Sequence, residues 1–116
     1  MLTALLIVAL ALAAPSAGTT ERRCGWLHNP TPANWWLIDR DGEWLIAAQG
    51  GYQAPGMDDM LDMTTREWVS TNGHYGHGCA CMNVTTDRAS RRVTRIESAT
   101  PLPLRQCRAD PRLPSR

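Results

Sequence analysis

The amino-acid sequence predicts a mainly β domain, all-β or α+β. The expected form is a small disulfide-stapled antiparallel sheet, or a partly open barrel, of about five strands with at most short helical turns. Three observations lead there. Four cysteines, an even number, include the alternating pair Cys79 and Cys81 at the end of Gly73-His74-Tyr75-Gly76-His77-Gly78-Cys79-Ala80-Cys81. Asp41-Gly42 lies between two apolar runs, a strong hairpin signal. Elsewhere, short β-prone runs are broken by Gly, Pro and Asn-Gly.

The chain starts with an apolar run over residues 5–14, too short to span a bilayer, followed by Pro15-Ser16-Ala17-Gly18 and no charge before Glu21. Residues 1–18 are therefore expected to be a secretory signal peptide, though no Lys or Arg marks its n-region. Residues 19–116 would then form a single small domain, periplasmic or secreted, with no membrane span after signal cleavage. A domain of that size buries a modest core and gains from staples. Export and the even cysteine count together predict two disulfides.

Residues 21–26 read as an edge strand or an ordered arm tied down by Cys24. Residues 28–34 are expected to be irregular, because Pro30 and Pro32 lack donors and extend their predecessors. The hairpin that follows has two candidate registers. A two-residue Asp41-Gly42 turn pairs Arg40 with Glu43 and mixes charged and apolar residues on both faces. A type I turn over Arg40-Asp41, with Gly42 left-handed in a bulge, pairs Asp39 with Glu43 instead. One face then carries Trp36, Ile38, Trp44, Ile46 and Ala48 without charge, and burial favours this register.

Residues 49–56 form a loop by Gly and Pro content, and residues 57–63 show no clear period. Thr64 and Glu67 match a capping box for one helical turn. Residues 68–71 are β-prone and broken by Asn72-Gly73. Residues 79–86 read as a strand, 87–91 turn, and 92–98 return, with Pro101-Leu102-Pro103-Leu104 ending the sheet. A helical turn is expected over residues 104–109 around Cys107, then a frayed tail from 111 to 116.

In a strand, residues i and i+2 share a face, so Cys79 and Cys81 present both sulfurs to one side. A direct bond between them would close a small strained ring. Two bridges are expected: Cys24–Cys79 with Cys81–Cys107, or Cys24–Cys81 with Cys79–Cys107.

Arg23-Cys24-Gly25-Trp26 and Gly78-Cys79-Ala80-Cys81 stand out together with Asn34-Trp35-Trp36-Leu37, Gln49-Gly50-Gly51-Tyr52, Thr71-Asn72-Gly73 and Cys107-Arg108-Ala109-Asp110. In these motifs the chain resembles the bacterial family called domain of unknown function 4087, over nearly all of the presumed mature part. The resemblance implies a short exported bacterial protein with no assigned activity, and it carries no catalytic or binding residues. In the family's pattern positions 74 and 77 are often Tyr, so His74 and His77 are departures.

Several chemistries compete with blander readings of the same residues. A net charge of +1 supplies no large positive field for nucleic acid. His74, His77, Cys79 and Cys81 have zinc-type donors, but their spacing is cramped and would leave Cys24 and Cys107 unexplained. A redox role for Cys79 and Cys81 needs a free, low-pKa thiol, while two other cysteines stand ready to bridge the pair. Asp58, Asp59 and Asp62 miss the spacing of a calcium loop and read as a solvated acidic stretch. No catalytic residue, cofactor or metal ligand is assigned.

The aromatics are the remaining lead. Trp26, Trp35, Tyr52 and Tyr75 form a candidate binding surface for an envelope protein or a glycan. The competing reading is that Trp replaces the missing Phe in a small core. The expected function is a non-enzymatic exported binding or envelope-associated module. The alternative is a thiol–disulfide or metal-binding protein using the Cys79/Cys81 pair.

Overall fold

The computed structural model describes residues 3–7, 18–60 and 62–116. The expected signal peptide lies largely outside these residues. Among the described residues no helix is long and apolar enough to cross a membrane.

The fold is mostly β. Its strands are β1 (Glu21–Thr31), β2 (Asn34–Asp39), β3 (Gly42–Ala47), β4 (Trp68–Asn72), β5 (Tyr75–Asp87) and β6 (Arg92–Leu102). Two 3-10 turns, Met57–Asp59 and Met63–Thr65, join β3 to β4, and a short helix α1 (Leu104–Ala109) follows β6. The six strands make one mixed sheet in the order β1-β2-β3-β6-β5-β4, and β1 also pairs with β5. The sheet therefore curls into a ring without becoming a barrel. β5 returns through a long connection to lie beside the first strand of the β1-β2-β3 meander, which is a Greek key. One side of β5 pairs with β1, while its other side is shared by β4 and β6.

The ring is held unevenly. The β1–β5 and β5–β6 ladders each run over nine registered pairs. β3 and β6 meet at one parallel pair, Leu45 with Arg92. The chain itself fills the rest of this seam. Ala54 N–H donates to Ile46 O at 2.9 Å, and Ile96 N–H donates to Pro55 O at 2.8 Å. The segment Ala54-Pro55 thus supplies backbone partners that a longer β3–β6 ladder would otherwise provide.

Several expectations need correction. Residues 21–25 pair with β5 alone, as an edge segment would, but from Trp26 onward β2 flanks the strand as well. The strand also continues through His28, Asn29 and Pro30 to Thr31, where irregular chain is expected. Pro30 is tolerated because it falls in the register shift between His28 and Thr31, where the ladder is interrupted. The Asn29 side-chain amide donates to Thr31 O and Asn34 O at 2.9 and 2.8 Å, closing the turn. β6 likewise runs on past Ser98, with Pro101 opposite Ala80. The 3-10 turn at Met63–Thr65 is capped by Asp62, whose carboxylate accepts from Thr64 N–H at 3.0 Å, rather than by Thr64.

The hairpin adopts neither candidate register. Asp39 pairs with Gly42, Ile38 with Glu43 and Leu37 with Trp44, so the loop is Arg40-Asp41. Gly42 does have positive φ, at 112°. Leu37, Trp44 and Ile46 point into the ring, while Trp36 and Ile38 belong to a second cluster outside it. The expected face failed because Asp39 is not solvated: it is buried on the inner face and fully engaged. It accepts from Arg23 Nη1 at 2.8 Å, from Trp44 Nε1 at 3.0 Å and from Asp41 N–H at 2.8 Å.

Two apolar clusters result. The inner one joins Leu27, Leu37, Trp44, Ile46, Ala80, Met82, Val84, Val93 and Ile96. The outer one joins Trp26, Ile38, Cys79 and Cys107, with Trp36, Leu102, Leu104 and Leu113 packed on it. Fully burying a side chain of this kind contributes about 1.5–3 kcal/mol. The disulfides are Cys24–Cys81 and Cys79–Cys107. The first joins directly opposed residues of β1 and β5, and the second ties α1 over the outer cluster. The segment expected to fray forms no helix or strand, yet Trp26 Nε1 donates to Pro114 O at 2.9 Å and holds it down.

Two predictions follow from this architecture. A Cβ on Gly56, whose φ is 92°, would meet Ile96 O at 2.1 Å, whereas one on Gly42 would meet only the flexible end of Arg91 at 2.8 Å. Gly56→Ala should cost about 2 kcal/mol or more and Gly42→Ala about 1 kcal/mol. Denaturant melts that give the reverse order would contradict this packing. Second, the bridges span 57 and 28 residues, which in the chain-entropy picture are worth about 4 and about 3.5 kcal/mol. Against a usual total of about 5–15 kcal/mol, Cys24→Ser should leave little folded protein, and Cys107→Ser should be slightly milder. Non-reducing peptide mapping checks the pairing, and a Cys24–Cys79 peptide would refute it.

Candidate functional site

The cysteine pair offers no free thiol. No cysteine is free, and Cys79, Cys81 and Cys107 are buried. The two histidines that precede the pair in sequence lie apart, one on β5 and one in the turn before it. His77 is buried on the outer face, edge-on to Trp26 with ring centroids 5.3 Å apart and 6.2 Å from His28. His74 is exposed in the turn between β4 and β5. Among the described residues no three His, Cys, Asp or Glu side chains are grouped to hold a metal.

The aromatic candidates also divide. Trp26 is fully buried and contributes to no surface, which corrects that expectation. Tyr52 is partly buried, its hydroxyl donating to Val93 O at 2.6 Å and its ring lying under the Arg92 guanidinium. Tyr75 is half-buried, its ring 4.3 Å from that of His74. Trp35 is half-buried and lines an open cleft of about 550 Å³.

That cleft is built from four parts of the chain. Trp35 comes from β2, at the register shift where it opposes Ala47. Gly56 turns the chain with its positive φ and starts the first 3-10 turn at Met57. Met60 ends that turn in extended conformation, and Met63 begins the next one under the Asp62 cap. His74 follows Gly73 in the tight turn that pairs Asn72 with Tyr75. Trp68 Nε1 donates to His74 O at 3.1 Å, which holds this turn against β4. Met57 also lines an adjoining cleft with Tyr52 and the Gly50-Gly51 loop.

The lining is therefore indole, thioether and imidazole. Its carboxylate and hydroxyl are mutually occupied, since Thr64 Oγ1 donates to Asp62 Oδ1 at 2.6 Å. The arrangement suits binding. The sequence singles out Trp35 as a candidate but gives no such signal for Met57, Met60 and Met63. Their spacing of three was visible, but their role depends on how β2 and the β4–β5 turn fold around them.

A second charged cleft lies at the other end of β2, lined by Glu21, Arg23, Asp39 and Asp41 among others. Four of its charges form one cluster: Arg23 contacts Glu21, Asp39 and Asp41. Burial works against the Arg23 charge, but hydrogen bonds to Asp39 and Asp41 outweigh it and raise its pKa.

A family model described as "Protein of unknown function (DUF4087)" matches residues 18–114. No curated protein and no solved structure matches the chain.

His77 and His28 make stability depend on pH. Burial, then the charge of Arg116, lowers both pKa values, with His28 and Arg108 adding to the effect at His77 and Glu43 opposing it at His28. The unfolded chain, with histidines near 6.5, then binds more protons than the folded one below that pH. Stability should fall as pH drops below about 6.5 and level off below the lowered folded values. The melting temperature should be lower at about pH 5.5 than at about pH 7.5. His77→Phe, which keeps the edge contact with Trp26, should shrink that difference; an unchanged difference would remove His77 from the account.

Proposed function

The chain belongs to this family of proteins of unknown function, and on that premise we propose that it is an exported, non-enzymatic binding module whose ligand face is the Trp35 cleft. One observation carries the reading: Trp35, Met57, Met60 and His74 converge on one open cleft while every cysteine is spent in a disulfide. The fold class alone would name no function. A thiol–disulfide role for Cys79 and Cys81 would require opening bridges that hold β1, β5 and α1 together. Two disulfides in a small domain agree with life outside the cytoplasm.

The test uses protein isolated from the envelope with its disulfides intact. Native mass spectrometry should find a ligand that co-purifies with the wild type and is lost from Trp35→Ala. Thiol titration without reductant should find no reactive thiol. Retention of the ligand by Trp35→Ala, or two titrating thiols, would overturn the proposal.

A further inference from the structure

The chain has five methionines, and three of them, Met57, Met60 and Met63, fall within seven residues. All three line the cleft that also holds His74 and Trp35. Methionine often serves as adaptable core filler, and Met82 and Met63 are almost fully buried in that way. Met57 and Met60 differ: both are only partly buried, packed at the margin of the core with accessible surface toward the cleft. The exposed imidazole of His74 stands at the same cleft, carried by a different part of the chain.

The donor chemistry is selective. Thioether sulfur is a soft ligand and imidazole a borderline one, a combination that suits Cu(I) and disfavours hard cations. Of the harder donors in the cleft, Asp62 Oδ1 accepts from Thr64 N–H and Thr64 Oγ1, and the Asn29 side-chain nitrogen donates to two backbone carbonyls. No thiolate competes, because all four cysteines are in disulfides. A protein that binds a soft ion with its cysteines oxidised has thioethers left for the task. The Trp35 ring supplies an aromatic wall that favours a cation near its face.

We infer that this cleft binds a soft monovalent metal ion, Cu(I) or its analogue Ag(I), through the sulfurs of Met57 and Met60 and the imidazole of His74, with Met63 behind them. The inference rests on the cleft being the ligand face, and it names the ligand's class. It also explains why a methionine run interleaved with aspartates lies beside an aromatic and a histidine. The two 3-10 turns and the turn at Gly73-His74 are the elements that bring these donors together.

The experiment titrates disulfide-intact protein with silver nitrate in chloride-free buffer, by calorimetry and tryptophan fluorescence. Ag(I) needs no reductant, so the bridges survive. Acetonitrile-stabilised Cu(I) under nitrogen is the second probe, and Zn(II) the control. One ion per chain is expected, with Kd below about 1 µM, and markedly weaker Zn(II) binding. The double variant Met57→Leu, Met60→Leu keeps nearly the same volume and should fold normally. Its affinity for Ag(I) should drop by more than the ~10–100-fold typical of losing a supporting residue, and His74→Gln should also weaken binding. Folding is checked by an unchanged melting temperature. If the double variant does not fold, His74→Gln, at an exposed position, decides the matter.

No stoichiometric Ag(I) or Cu(I) binding, equal binding of Zn(II), or an affinity unaffected by both variants would overturn the inference. Failure here is separable from failure of the broader reading. If metal does not bind yet Trp35→Ala still loses a co-purifying ligand, the cleft remains the binding face and only the ligand class falls. If the Trp35 variant loses nothing either, both fall.

Discussion

The Arg23 guanidinium is a charge held inside the ring, and the geometry of the hairpin depends on satisfying it. Arg23 is 6% exposed. It donates to Asp39 and Asp41, contacts Glu21, and lies 4.2 Å from the centroid of the Trp44 ring. Breaking one side of such a buried pair typically costs about 3–5 kcal/mol, because the other charge is left uncompensated. Asp39 must therefore face inward, and a period of two then sends Leu37 inward as well. Trp44 follows, opposite Leu37 and hydrogen-bonded to Asp39. Arg91 covers Trp44 at 3.9 Å from its centroid and donates to Asp41 O, so the two guanidiniums seal this end of the ring. β2 carries this sealed end at Asp39 and the open cleft near its other end, at Trp35.

How much of this could be read in the chain divides along physical lines. The β class, the hairpin, the loop before Met57, the turn at Asn72-Gly73 and the helix around Cys107 are local signals of Gly, Pro and apolar alternation, and each is present. The hairpin register was not legible, because the rule that keeps charge off a core face assumes the charge has no buried partner. That partner, Arg23, lies sixteen residues away from Asp39. Pro30 misled for a related reason: a proline argues against a strand unless a ladder irregularity lies at that point, and the irregularity is set by pairing with β2. The candidate site shows the same division. Trp35 was visible as an aromatic outside the expected core face, whereas the relation of Met57 to His74 comes only from the long connection between β3 and β5.

The two disulfides act on different layers. Cys24–Cys81 joins two strands that are already paired, so it secures the β1–β5 ladder. Cys79–Cys107 holds α1 against the outer cluster, and Trp26 holds the tail beyond it through Pro114. Much of the outer face of β1 and β5 is therefore covered by the chain's own C-terminal segment. The fold by itself names no ligand. Here the staples lie on one layer and the cleft lies away from them, at the connections around Trp35.

The seam between β3 and β6 gives the molecule a clasp. Most of the ring is riveted, but this joint relies on one strand pair and on the short strap Ala54-Pro55. The strap runs directly into Gly56 and Met57, the wall of the cleft. The clasp and the wall of the cleft are thus consecutive stretches of one short segment. By thermodynamic reciprocity, any coupling between an occupant of the cleft and the closure of the ring would act equally in both directions.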